Sequence, residues 1–130
     1  MRVYFDYNAT TPPAPEVVDA VAAVTRDVFG NASSVHYFGQ QAKAAIDQAR
    51  SATAELIKAE PSEIVFTAGG TESDNFALRG AADAIETAGP RRHLVASAIE
   101  HEAILNTLKA LARRGWTVTL IPVDATGVVS

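Results

Sequence analysis

From about residue 14 onward, apolar positions recur at helical spacing, and short β-branched runs separate these stretches. Val17, Val21, Val24 and Val28 follow a 4-3-4 rhythm that predicts a helix over 15–28, with Pro15 suited to its first turn. Ala42, Ala45, Ile46, Ala49, Thr53, Leu56 and Ile57 predict a longer helix over 39–59, and Pro61 stands just past its end. Ile64-Val65-Phe66-Thr67 reads as a short buried strand. A helix follows, with Phe76, Ala77, Gly80, Ala81, Ala84, Ile85 and Ala88 as its expected buried face, and Gly89-Pro90 stops it. Leu94–Ser97 is the second expected strand. Ile104, Leu105, Leu108, Leu111 and Ala112 mark the next helix, with Gly115 as its cap and Arg113 and Arg114 in its last turn. The third strand is expected over 116–123, a turn over 124–127, and the beginning of another element at 128–130.

Strands alternating with helices predict an α/β fold with a three-layer αβα arrangement and a largely parallel sheet. Residues 1–13 are too polar and too rich in proline for a strand and read as an irregular arm. Residues 14–130 then read as part of one domain that is not finished at Ser130.

Composition narrows the chemistry. The chain has 130 residues and no cysteine, which excludes disulfides, zinc-thiolate sites, iron–sulfur ligation and a thiol nucleophile within it. A net charge of −4 without a basic run argues against a nucleic-acid surface, and 7% aromatic residues offer no base-stacking platform. No apolar run approaches the ~20 residues of a membrane helix. The N-terminus carries no secretory signal, so a cytoplasmic location is expected. The sequons at Asn8 and Asn31 are therefore read as coincidence.

In open α/β sheets, ligands bind where strands run into helix N-termini. The first such junction is Thr67-Ala68-Gly69-Gly70-Thr71-Glu72-Ser73-Asp74. Its glycines permit close backbone approach, and its helix amides favour a phosphate, with the Thr71 hydroxyl as a further donor. The alternative is a capping box between Thr71 and Asp74 and nothing more. Neither the dinucleotide nor the Walker fingerprint is present. The second junction is Ser97-Ala98-Ile99-Glu100-His101-Glu102. Here His101 could stack on a planar ligand or shuttle a proton, or else be a surface residue beside a Ser97–Glu100 cap. Position 105 is leucine, so the His-Glu-x-x-His zinc motif fails, and no metal site is expected.

Four segments, taken in order, carry a resemblance. They are Tyr4–Pro12 (YFDYNATTP), Phe29–Ser34 (FGNASS), Glu63–Asn75 (EIVFTAGGTESDN) and Ile99-Glu100-His101. Together they resemble the N-terminal part of the cysteine desulfurases, in the class V aminotransferase group of pyridoxal-phosphate enzymes. The resemblance implies an incomplete large domain of fold type I, a homodimer, and pyridoxal 5'-phosphate as cofactor. It implies L-cysteine as substrate, L-alanine as product, and an enzyme-bound persulfide passed to a sulfur-acceptor protein for iron–sulfur cluster assembly or tRNA thiolation. Gly70 and Thr71 would hold the cofactor phosphate, and His101 would stack on the ring and assist proton transfer. Asn8, Asn31 and His36 would lie near the active site or the dimer partner.

The same resemblance locates the cofactor-anchoring lysine, the aspartate that pairs with the pyridine nitrogen and the persulfide cysteine beyond Ser130. Lys43, Lys58 and Lys109 read as solvated, so this chain is expected to be inactive alone. Another class V lyase or epimerase, or a non-enzymatic remnant that dimerises or binds a phosphate-bearing ligand, stays open on sequence grounds.

Overall fold

The computed structural model describes residues 1–129, which divide into two compact units, 1–65 and 66–129.

In the first unit the arm is held by its own polar groups. The Tyr4 hydroxyl lies 2.9 Å from Asp6 O and 3.0 Å from Thr10 O, and Thr11 Oγ1 donates to Tyr7 O at 3.1 Å. Helix α1 (Pro15–Asp27) forms as predicted, with Pro15 at its first position. Its valine stripe is exposed, however, and no α1 residue is buried. Helix α2 (Tyr37–Ile57) buries only small residues, Gly39, Ala42 and Ala54. Lys58 ends it in the left-handed conformation (φ 57°), a C-cap position usually taken by glycine. A 3₁₀ turn (Pro61–Glu63) follows, closed by Glu63 Oε2 accepting from the Glu60 amide at 2.8 Å.

The expected strand at 64–67 does not form. The segment is extended, but it enters no sheet among the described residues, and Val65 and Phe66 are half exposed. Its β-branched residues favour an extended chain, yet a strand exists only when a neighbour completes its hydrogen bonds.

The second unit contains helix α3 (Gly70–Ala88), strand β1 (His93–Ser97), helix α4 (Glu102–Arg113) and strand β2 (Thr117–Ile121). The strands pair in parallel, with His93 opposite Thr117 and Ser97 opposite Ile121, as the strand–helix–strand order predicts. The α/β class and the parallel pairing are thus borne out. Helix α4 ends in a Schellman motif: Trp116 N–H donates to Leu111 O at 3.2 Å and Gly115 N–H to Ala112 O at 3.0 Å, with Gly115 at φ 93°. After β2, Asp124 Oδ1 accepts from the Thr126 amide (2.8 Å) and hydroxyl (2.7 Å) and from the Val128 amide (3.0 Å). The resulting turn lets Val123 bridge Val129 in antiparallel fashion.

The core of this unit is Ala82, Leu111 and Trp116, with Leu94 packed against it. Leu108 and Leu111 are buried as expected. On α3 the inward face is different from the predicted one. Asp74, Asn75, Leu78, Ala82 and Glu86 are the least exposed positions, whereas Phe76 and Ile85 are exposed. Polar bonds choose this face. Trp116 Nε1 donates to Glu86 Oε1 at 2.6 Å, and Arg114 Nη2 reaches Asp83 (2.7 Å) and Glu86 (3.0 Å). The methyl of Ala82 lets the helices close between these bonds.

The Glu86 carboxyl is held below its ordinary value of 4.5, chiefly by the Trp116 indole N–H and then by the Arg114 charge, while desolvation opposes them. A depressed folded value means that the stabilisation is complete above the unfolded pKa and is lost as the pH falls through the folded one. Unfolding midpoints, followed by the fluorescence of the single tryptophan, are expected to fall on acidification from neutral pH to about pH 3. Glu86→Gln is expected to flatten that fall, and an unchanged profile would remove this role from Glu86.

Candidate functional site

The N-termini of α3 and α4 lie at one end of the second unit, and both carry unused hydrogen-bonding capacity. Gly69 is the N-cap of α3, so Gly70 and Thr71 are its first two helical residues. Their amides have no acceptor within the helix and lie at its positive end. The Thr71 hydroxyl bonds to nothing among the described residues. A Cβ built on Gly69 or Gly70 would meet no atom within 4 Å, so the space beside the turn is open. A cleft of about 540 Å³ lies over it, lined by Ala68, Gly69, Gly70, Thr71, Glu72 and Asn75.

The capping box between Thr71 and Asp74 is absent, because Thr71 is already inside the helix. Other side chains tie down the entering loop. Glu72 Oε2 accepts from the Ala68 amide at 2.6 Å, and the Thr67 and Ser73 hydroxyls lie 2.6 Å apart. Thr71 is thereby left free.

At α4 the expected Ser97–Glu100 cap is also replaced. His101 itself is the N-cap, its Nδ1 accepting from the Ala103 amide at 3.1 Å. This bond fixes the neutral tautomer, with the proton on Nε2. Ser97 Oγ instead accepts from the Ile99 amide at 3.3 Å. A second cleft of about 450 Å³ contains Thr71 and Asn75 from α3 and His101, Asn106 and Thr107 from α4. Thr71 and His101 therefore face one groove. Sequence reasoning missed Asn75 and Thr107, although a threonine within the Ala103–Thr107–Leu111 stripe signals a buried polar contact.

The first unit holds the other candidates. The Asn8 amide makes no hydrogen bond among the described residues. Asn31 Oδ1 accepts from the Ser33 amide at 2.9 Å, and His36 Nδ1 caps α2 by accepting from the Gly39 amide at 3.3 Å. The loop between these two residues is tightly built. A Cβ on Gly39 would meet Asn31 O and Ser34 Cβ at 2.7 Å, with Ser34 O closer still. Among the described residues, no group of three or more histidine, aspartate or glutamate side chains could hold a metal, and no helix is long and apolar enough to cross a membrane.

The signature of the class-V aminotransferases matches residues 3–130. The chain belongs to this family. As a class-V aminotransferase family chain it is 44% identical over 128 residues to a cysteine desulfurase IscS of Dictyoglomus turgidum, which covers 98% of this chain and 32% of the relative. It is 46% identical to a cysteine desulfurase IscS of Serratia proteamaculans, over its whole length and 32% of the relative. Among solved structures, a NifS-like protein superposes with a TM-score of 0.90 at 39% identity, covering 100% of this chain and 35% of the other. A structure described as SspA in complex with cysteine gives 0.84 at 42% identity, covering 98% and 36%. The resemblance to the cysteine desulfurases is borne out. This class-V chain spans about a third of the length of the relatives that it matches.

Proposed function

We propose that this chain forms the N-terminal third of a pyridoxal-phosphate-dependent cysteine desulfurase that converts L-cysteine to L-alanine and carries the sulfur as a persulfide. In this reading residues 14–130 belong to its large domain. The observation that supports it most directly is the groove shared by the open α3 N-terminus and His101. Two amides, a hydroxyl and a helix dipole make a donor set suited to a phosphate, and an imidazole stands beside it. The carboxylate of Glu72 is already bonded to Ala68 and leaves both amides available.

Bound there, pyridoxal phosphate would supply the electron sink for bond cleavage next to the substrate carbon. The chain's own residues have narrower tasks. Gly70 N–H, Thr71 N–H and Thr71 Oγ1 hold the phosphate. The His101 ring orients the planar cofactor and keeps a proton on Nε2, since Nδ1 is engaged by the helix. The remaining two thirds of the enzyme would contribute the anchoring lysine and the persulfide cysteine, so this chain alone is inactive. Asn8, Asn31 and His36 serve the active-site rim or the partner of a cytoplasmic homodimer, which hands sulfur to an acceptor protein.

The amide of Gly70 can be tested by itself. Proline is tolerated at a first helical position and lacks only the N–H, and open space surrounds Gly70. In the full-length protein, Gly70→Pro is expected to weaken pyridoxal-phosphate binding by about 10- to 100-fold, the worth of a hydrogen bond to a charged group. Gly70→Ala, which keeps the amide, should bind as the parent does. Equal affinities for all three, measured by cofactor titration, would move the phosphate elsewhere.

A further inference from the structure

Asn75 and Thr107 have no part in the roles above, yet they connect the two halves of the groove. Thr107 is only 2% exposed. Its hydroxyl lies 2.7 Å from Asn75 Oδ1 and 2.9 Å from Ala103 O, so one proton is shared between two acceptors. The Ala103 carbonyl alone would satisfy this hydroxyl, as threonines in helices commonly do. The bond to Asn75 is therefore additional, and it crosses from α4 to α3.

The Asn75 amide has a single workable orientation. Arg79 Nε, which can only donate, is 3.2 Å from Oδ1, and Asn75 Nδ2 donates to Thr71 O at 2.9 Å, which can only accept. Ala103 in turn donates its amide to His101 Nδ1. Hydrogen bonds thus run from the Thr71 carbonyl through Asn75 and Thr107 to the Ala103 carbonyl, and the amide of the same residue holds the His101 ring.

We infer that Asn75 and Thr107 are positioning residues that fix the phosphate-binding turn of α3 against the His101 cap of α4, and so set how tightly the cofactor phosphate is held. This inference rests on the function proposed above. Aspartate at 75 has the same shape but puts an oxygen against Thr71 O, whereas valine at 107 keeps the packing and removes the hydroxyl. Both should loosen the turn, and combining them should add little, because each breaks the same path.

The test uses the full-length protein with Asn75→Asp, Thr107→Val, their combination and Thr107→Ser. Hydrogen exchange of the amides at 73–76 is read without cofactor, and pyridoxal-phosphate affinity by titration. Exchange about fivefold faster and affinity about five- to tenfold weaker are expected for both single variants, with serine restoring both. Unchanged exchange overturns the inference. Faster exchange with unchanged affinity also overturns it, while leaving the proposed function intact. A parent protein that does not bind pyridoxal phosphate sinks the proposed function and the inference together.

Discussion

On the function proposed above, His101→Asn in the full-length protein is expected to lower kcat for alanine formation from L-cysteine by about 10²- to 10⁴-fold, the usual worth of a positioned acid–base group. Thermal stability should hardly change. Asparagine is among the best N-cap residues, and its side-chain oxygen can take over the bond from the Ala103 amide. What it cannot supply is the planar ring or the proton on Nε2. His101→Ala removes the cap as well, and should add a stability loss of about 1 kcal/mol. Steady-state kinetics and melting curves on the two variants thus separate chemistry from capping. An asparagine variant with parental kcat would reduce His101 to a structural cap.

Gly39→Ala carries the largest expected effect on stability. The new methyl would overlap Asn31 O, Ser34 O and Ser34 Cβ. These atoms cannot swing aside, because Asn31 O accepts from the Ser34 amide at 2.9 Å and Ser34 O from Gln40 Nε2 at 3.3 Å. Main-chain overlap of this kind belongs at the upper end of overpacking costs, about 3 kcal/mol. Urea denaturation would measure it, and a loss below about 1 kcal/mol would show that the loop gives way easily. Gly30 faces the same constraint, with Phe38 O and the Gly39 amide against its bare side. The loop that carries Asn31 and His36 is thus not a loose connection. Its geometry depends on two glycines, and both candidates would shift if either were replaced.

The elements of the second unit were legible because each carries its own punctuation. Gly89-Pro90 and Gly115 end their helices, and the short run after each, HLVAS and TVTLI, is a strand. Burial was harder to read. Periodicity identifies an apolar face but not whether anything lies against it, so the stripes of α1 and α3 were found while their exposure was not. The inward face of α3 was chosen by Asn75 and Glu86, polar residues that hydrophobic patterning discards. The caps were missed for a similar reason. Histidine is not a habitual N-cap, yet both His36 and His101 use Nδ1 in that way. Gly70 and Thr71 stood out because glycine and a hydroxyl at a helix start suit a phosphate, and His101 because an imidazole at such a junction suits stacking or proton transfer.

The parallel pair β1–β2 is joined by a single helix, so the pairing of the two strands involves only residues between His93 and Ile121. Parallel sheets usually wait for strands far apart in the chain, and the entropy of closing long loops slows their assembly. Here the closing segment is one short helix that packs as it forms. During synthesis this ribbon can assemble soon after Ile121 leaves the ribosome. Its two outer edges, unpaired in any sheet among the described residues, leave vacant peptide groups to which a further strand can be added.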